Sequence, residues 1–254
     1  MLLPPPNACS FMVDWNNTTP KTPTIPAIPS YGDDAVVFQA ARAATRIFEA
    51  QGYTFAIFGS LACYLYGSRR VPNDVDIVIS SYTCDPEEIK VLLVAANPAL
   101  FYLVRSKSPQ PPWNVLWYCD IDDREMKKVK VDILRAGTLQ LSKIFSETIV
   151  EKQGLPVVPM SVLLLHKLKG WKDNMDSTEW RHQRKYSSDP SDVHSLLGII
   201  INGISKQERE NSKDWKSFAP ERFDDAFKDD TEHRISIFCS RFPECRNLWS
   251  FLGW

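Results

Sequence analysis

Asp74 and Asp76 stand two residues apart in the run Asp-Val-Asp-Ile-Val-Ile. Side chains alternate along a strand, so these two carboxylates share one face while Val75 and Ile77 take the other. Carboxylates side by side on an apolar strand repel each other, and burying an unpaired charge is costly. A cation between them is therefore expected. A hard divalent ion such as Mg²⁺ (or Mn²⁺) suits an all-oxygen donor set and can hold a triphosphate at the same time. Further on, Lys128-Val-Lys-Val-Asp-Ile-Leu alternates in the same way, placing Lys128, Lys130 and Asp132 on a polar face. Asp132 can complete a carboxylate trio there, or serve as a surface carboxylate paired with Lys130.

The elements that would position these groups can be read around them. Thr54–Phe58 reads as a short apolar strand, Gly59-Ser60 as a turn, Leu61–Tyr66 as a short helix and Ser68–Asn73 as a basic loop. Upstream, Val36, Val37, Ala40, Ala44, Ile47 and Phe48 recur at helical spacing, with Asp33 and Asp34 at the start and Gly52 as the stop. Asp85-Pro-Glu-Glu opens another helix. Strands follow at Phe101–Arg105, Trp113–Ile121 and Lys128–Leu134. The pattern predicts a mixed sheet of about four or five strands with flanking helices, followed by an all-helical C-terminal part.

That second part has a helix beginning near Pro159 with Val162, Leu163, Leu165 and Leu168 apolar, which leaves Lys167 free to reach sideways. A polar, basic stretch follows (Lys172 to Ser188, with Arg181, Arg184 and Lys185), and Asp189-Pro-Ser-Asp192 opens the next helix. Further helices are read around Trp215–Lys228 and Thr231–Phe242, and the aromatic C-terminus reads as core anchors. His166 reads as a partly buried core histidine. The expected division is a Pro-rich tail over 1–32, an α/β domain over 33–150 and a helical domain over 151–254.

The outer limits come from composition. The chain has 254 residues, 44% hydrophobic and 24% charged, enough for one large or two small globular domains. A formal net charge of −1 gives no global electrostatic case for binding nucleic acid, although a local basic patch could still do so. The six cysteines (Cys9, Cys63, Cys84, Cys119, Cys239, Cys245) show no Cys-x-x-Cys pair and no zinc spacing, so they read as reduced thiols of an intracellular, cytoplasmic protein. The first thirty residues hold seven of the eighteen prolines and no apolar period, which predicts an extended tail rather than a signal peptide. No run approaches the length a membrane helix needs. Asp120, Asp122 and Asp123 form an acidic cluster that reads as a solvated turn.

Gly59-Ser60, followed by thirteen residues and Asp74-Val-Asp76, resembles the signature of the nucleotidyltransferase superfamily with the DNA polymerase β-type catalytic fold. The resemblance covers about Phe38 to Leu134. It implies metal-dependent transfer of a nucleoside monophosphate from an NTP, with Asp74, Asp76 and Asp132 as metal ligands and Gly59 and Ser60 against the phosphates. Ser161-x5-Lys167 with Asp189-x-x-Asp192 is similar to the pattern of AbiEii-type toxin nucleotidyltransferases. That likeness implies that Lys167, Lys185 and Asp192 line the nucleotide pocket, with Ser188 standing where those proteins tend to have lysine.

The acceptor stays open at this level. RNA, possibly tRNA, is slightly favoured if Arg69, Arg70, Arg181, Arg184 and Lys185 contact phosphates. A small molecule of the aminoglycoside type, a protein, or a non-catalytic role as a nucleotide binder are the alternatives.

Overall fold

A computed structural model of the chain describes residues 33–107, 113–120, 126–179, 189–203 and 223–254. The tail, Asp122, Asp123, Arg181, Arg184, Lys185, Ser188 and residues 215–222 of the helix read around Trp215–Lys228 lie outside the described residues.

Helix α1 (Asp33–Ala50) ends as Gly52 suggests. Gly52 takes φ +73°, its amide donates to the Glu49 carbonyl, and the Tyr53 amide donates back to Phe48 at 3.0 Å. The Phe48 and Tyr53 rings meet edge to face at 5.9 Å, supplying the apolar contact that accompanies this kind of helix stop. Strand β1 (Phe55–Phe58) runs directly into α2 (Gly59–Leu65), and β2 (Asp74–Ile79) returns beside β1. In α3 (Pro86–Ala96), the Asp85 side chain accepts from the Glu87 amide at 2.9 Å and Pro86 occupies the first helical position. Strands β3 (Phe101–Arg105), β4 (Asn114–Cys119) and β5 (Lys128–Arg135) follow.

The sheet has seven strands in the order β3-β4-β5-β2-β1-β7-β6, two more than the upper expectation. The additions are β6 (Val150–Lys152) and β7 (Leu155–Val157), within the region read as helical. Gln153 and Gly154 both take positive φ, the turn that joins a tight antiparallel hairpin. Three-residue strands are too short to show alternation, and Pro156 argues against a strand, so tertiary pairing of β7 with β1 decides the matter.

Strand β2 lies at the centre, antiparallel to β1 and parallel to β5. Val75, Ile77 and Ile79 are fully buried on one face, and Val129, Val131 and Ile133 continue that face on β5. Among the described residues the helical part comprises α4 (Met160–Asp176), α5 (Asp189–Asn202), α6 (Asp225–Arg241) and α7 (Arg246–Phe251). Helix α6 runs unbroken from Asp225 through the break expected between Lys228 and Thr231, and Asp224 caps its start by accepting from the Phe227 amide at 2.8 Å. Trp171, Phe238 and Trp249 form the aromatic centre of this part, with Trp171 and Phe238 edge to face at 4.9 Å. Trp249 and Leu252 are buried as the sequence suggests, whereas Phe251 is exposed. Sheet and helices share one continuous apolar core. The Tyr66 hydroxyl, donating to the Val158 carbonyl at 2.7 Å, ties α2's end to the lead-in of α4. Among the described residues no helix is long and apolar enough to cross a membrane.

Candidate active site

Strand register sets the three aspartates on adjacent strands, although their carboxylate oxygens do not all approach within 4.8 Å of one another. Asp76 is the direct partner of Asp132 across the parallel β2–β5 pair, and Asp74 is the partner of Lys130. Alternation then places Asp74, Asp76, Lys130 and Asp132 on one face. Asp132 lies beside Asp76 across the strand pair, and Lys130 Nζ donates to its Oδ2 at 2.6 Å.

The Gly59-Ser60 turn is shaped by those carboxylates. Gly59 has φ +64°, a conformation L side chains rarely adopt, and a Cβ there would fall 1.8 Å from Asp76 Oδ2. The Asp76 carboxylate thus occupies the space a side chain would need. Ser60, read as a phosphate contact, donates its hydroxyl proton to Asp74 Oδ1 at 3.0 Å. Gly59→Ala is expected to push Asp76 out of register at a cost of about 2 kcal/mol. Circular dichroism melting of the variant checks this, and an unchanged melting temperature would mean that Asp76 is not seated against Gly59.

Electrostatics marks Asp76 as the stressed member of the trio. Burial first, then repulsion from Asp74 and Asp132, pushes its carboxyl up to about 7, while Lys167 and Lys130 pull it back down. An excess of clustered negative charge with oxygen donors only is the donor set a hard divalent cation takes.

A second charged cluster adjoins the first. Asp192, in the first turn of α5, is 1% exposed and receives Arg70 through two hydrogen bonds, Nε to Oδ1 at 2.9 Å and an η nitrogen to Oδ2 at 2.8 Å. Lys167 Nζ donates to Asp192 Oδ2 at 2.9 Å. Lys167 is therefore held in place rather than free, with its side chain 17% exposed. Burial opposes the ammonium charge, but the Cys63 sulfur and the Asp192 carboxylate more than offset it and hold Lys167 above the ordinary lysine value. Arg70, read as a nucleic-acid contact, is committed to Asp192. Asp192, read as a pocket residue, anchors two cations. Asp189 accepts from Asn174 Nδ2 at 2.6 Å, and its carboxyl is raised by burial against the opposing pull of Asn174 and Lys167.

Cys63, read only as one of six reduced thiols, lies beside these groups, and His166 was read as a core histidine. The buried Cys63 thiol is pushed up to about 12, chiefly by burial, and interacts with Lys167, Asp192, Arg70 and Asp76. His166 does lie in the core, stacked on Phe227 at 5.1 Å with Nδ1 2.9 Å from the Val162 carbonyl oxygen; burial holds it down at about 4.

A solved structure shares this arrangement of elements. The crystal structure of an antigenic nucleotidyltransferase-like protein from Paracoccidioides brasiliensis aligns with a TM-score of 0.56 at 15% identity, covering 86% of this chain and 92% of that one. The fold is nucleotidyltransferase-like. Two structures of ANT(2'')-Ia align more loosely: a solution structure of this antibiotic-resistance factor at TM-score 0.37 and 12% identity, covering 66% of this chain and 90% of that one, and a crystal structure in complex with adenylyl-2''-tobramycin at 0.35 and 13%, covering 68% and 98%. No protein-family profile and no curated protein sequence matches the chain. Within the nucleotidyltransferase-like fold, the carboxylates lie on the central β2 and its neighbour β5, and the Gly59-Ser60 turn follows β1.

Proposed function

We propose that the protein transfers a nucleoside monophosphate from an NTP to an acceptor hydroxyl. The observation that carries this reading is the seating of Asp76 against Gly59, with Asp74 and Asp132 on the same face of adjacent strands. Asp74, Asp76 and Asp132 would hold Mg²⁺ or Mn²⁺, which when bound supplies charge neutralisation for the triphosphate and for the oxygens entering and leaving in an in-line displacement. Ser60 orients Asp74 through its hydroxyl proton. Asp132, with Lys130 on one of its oxygens, offers a carboxylate oxygen to the proton of the acceptor hydroxyl. Lys167, fixed by Asp192, presents its ammonium to the β- and γ-phosphates, and this is where the AbiEii-type likeness enters the proposal.

RNA stays the first acceptor to test, but with Arg70 engaged its phosphate contacts reduce to Arg69 and the 181–185 stretch. The experiment for the nucleotide step is calorimetry with each NTP in Mg²⁺ and in EDTA. Tight binding in Mg²⁺ and weak binding in EDTA are expected; equal affinity in both would remove the carboxylate site from nucleotide binding. In the same assay Lys167→Ala is expected to weaken triphosphate binding by roughly tenfold or more and monophosphate binding far less, since a charge-assisted contact is worth about 1.5–3 kcal/mol. Equal weakening of both would mean that Lys167 acts only through Asp192.

A further inference from the structure

Away from the carboxylates, α5 and the turn before α7 bring His194, Glu244 and Cys245 together. One donor atom from each, an imidazole nitrogen, a carboxylate oxygen and the thiol sulfur, lies within 4.8 Å of the other two. His194 Nδ1 is 2.9 Å from the Pro190 carbonyl oxygen, which can only accept, so the proton sits on Nδ1 and Nε2 turns its lone pair the other way. Among the described residues Nε2 is buried without a hydrogen-bond partner, and Glu244 Oε1 lies 3.3 Å from it. Two acceptors facing each other need a cation between them. A second ring proton would make the contact an ion pair, whereas a metal ion there would also engage the Cys245 sulfur, which shares the 4.8 Å cluster. The ring itself is fixed, edge-on to Phe242 at 4.9 Å and tilted on Phe238 at 5.4 Å.

We propose that His194 Nε2, a Glu244 oxygen and Cys245 Sγ form a zinc site. Nitrogen, oxygen and sulfur together are the donor set of Zn²⁺ and not of Mg²⁺, which disfavours a thiol. On binding, the Cys245 thiol gives its proton to solvent and coordinates as thiolate. Water takes the fourth position. The site pins α5 to the Pro243–Cys245 turn, and it is independent of the proposed transfer reaction.

The test uses the full chain, with excess Mg²⁺ present to occupy the carboxylates, and measures Zn²⁺ binding by calorimetry and Co²⁺ substitution by absorption. A single Zn²⁺ per chain, a rise in melting temperature and a thiolate-to-Co²⁺ charge-transfer band are expected. His194→Gln should weaken Zn²⁺ binding by about 100-fold or more and abolish the band, while Asp76→Asn leaves both unchanged. Glu244→Gln, at a 63% exposed side chain that the fold does not need, should weaken binding even if His194→Gln fails to fold. Absence of Zn²⁺ binding, a Co²⁺ spectrum without thiolate character, or binding lost in Asp76→Asn but kept in His194→Gln and Glu244→Gln would overturn the proposal.

Discussion

Asp76→Asn is expected to abolish nucleotidyl transfer, by about a thousandfold or more, and at the same time to raise the melting temperature at neutral pH. The two effects have one cause. Burial and repulsion from Asp74 and Asp132 lift the Asp76 carboxyl to about 7 in the fold, well above an unfolded aspartate. A carboxylate raised in this way favours the protonated fold. Its ionisation costs stability as pH climbs from about 4 to about 7, and the full cost is present above that range. Removing the charge should gain on the order of 2 kcal/mol at pH 8, allowing for solvent around this partly buried group, and nothing near pH 4. Thermal melts of parent and variant across that pH range check the sign. Adding Mg²⁺ should stabilise the parent and leave the variant almost unmoved. A variant less stable than the parent at pH 8 would mean that Asp76 is held by favourable partners instead.

Asp192→Asn carries the largest expected loss of stability. The carboxylate is almost wholly buried and balances both Arg70 and Lys167, so neutralising it leaves two cations facing each other. Breaking a buried pair costs 3–5 kcal/mol, and partial rehydration of the half-exposed Arg70 brings the expectation to about 3 kcal/mol. For a chain of this size that is a fall of roughly 10 °C in melting temperature. The double variant Asp192→Asn/Lys167→Met should recover part of the loss, because it removes one of the stranded charges. Strict additivity of the two single effects would contradict a direct Lys167–Asp192 pairing.

Much of the site was legible before any fold was known, and the reasons are local. Asp74 and Asp76 share a face by strand parity alone, and the alternation of Lys128 to Leu134 carries Asp132 to the same side. Sequence spacing could not show that the Asp76 carboxylate fills the space beside Gly59, since that depends on β1 and β2 pairing in one register. Arg70 and Asp192 are 122 residues apart, and an arginine in a basic loop looks like a solvent-facing group until α5 is packed beneath it. His194 and Cys245 were invisible for the same reason: their spacing fits no local metal motif. The β6–β7 hairpin was missed because strands of three residues have no period to read.

The most direct measurement of the central claim incubates the protein and Mg²⁺ with total RNA and cell lysate, using each NTP labelled in turn at the α- and the γ-phosphate. Label from the α-phosphate should enter a product while γ-label leaves as pyrophosphate, and Asp76→Asn should give neither. The fraction that carries the label, RNA, protein or small molecule, identifies the acceptor. Transfer of γ-label, or no labelled product from any NTP with the folded parent protein, would contradict nucleotidyl transfer.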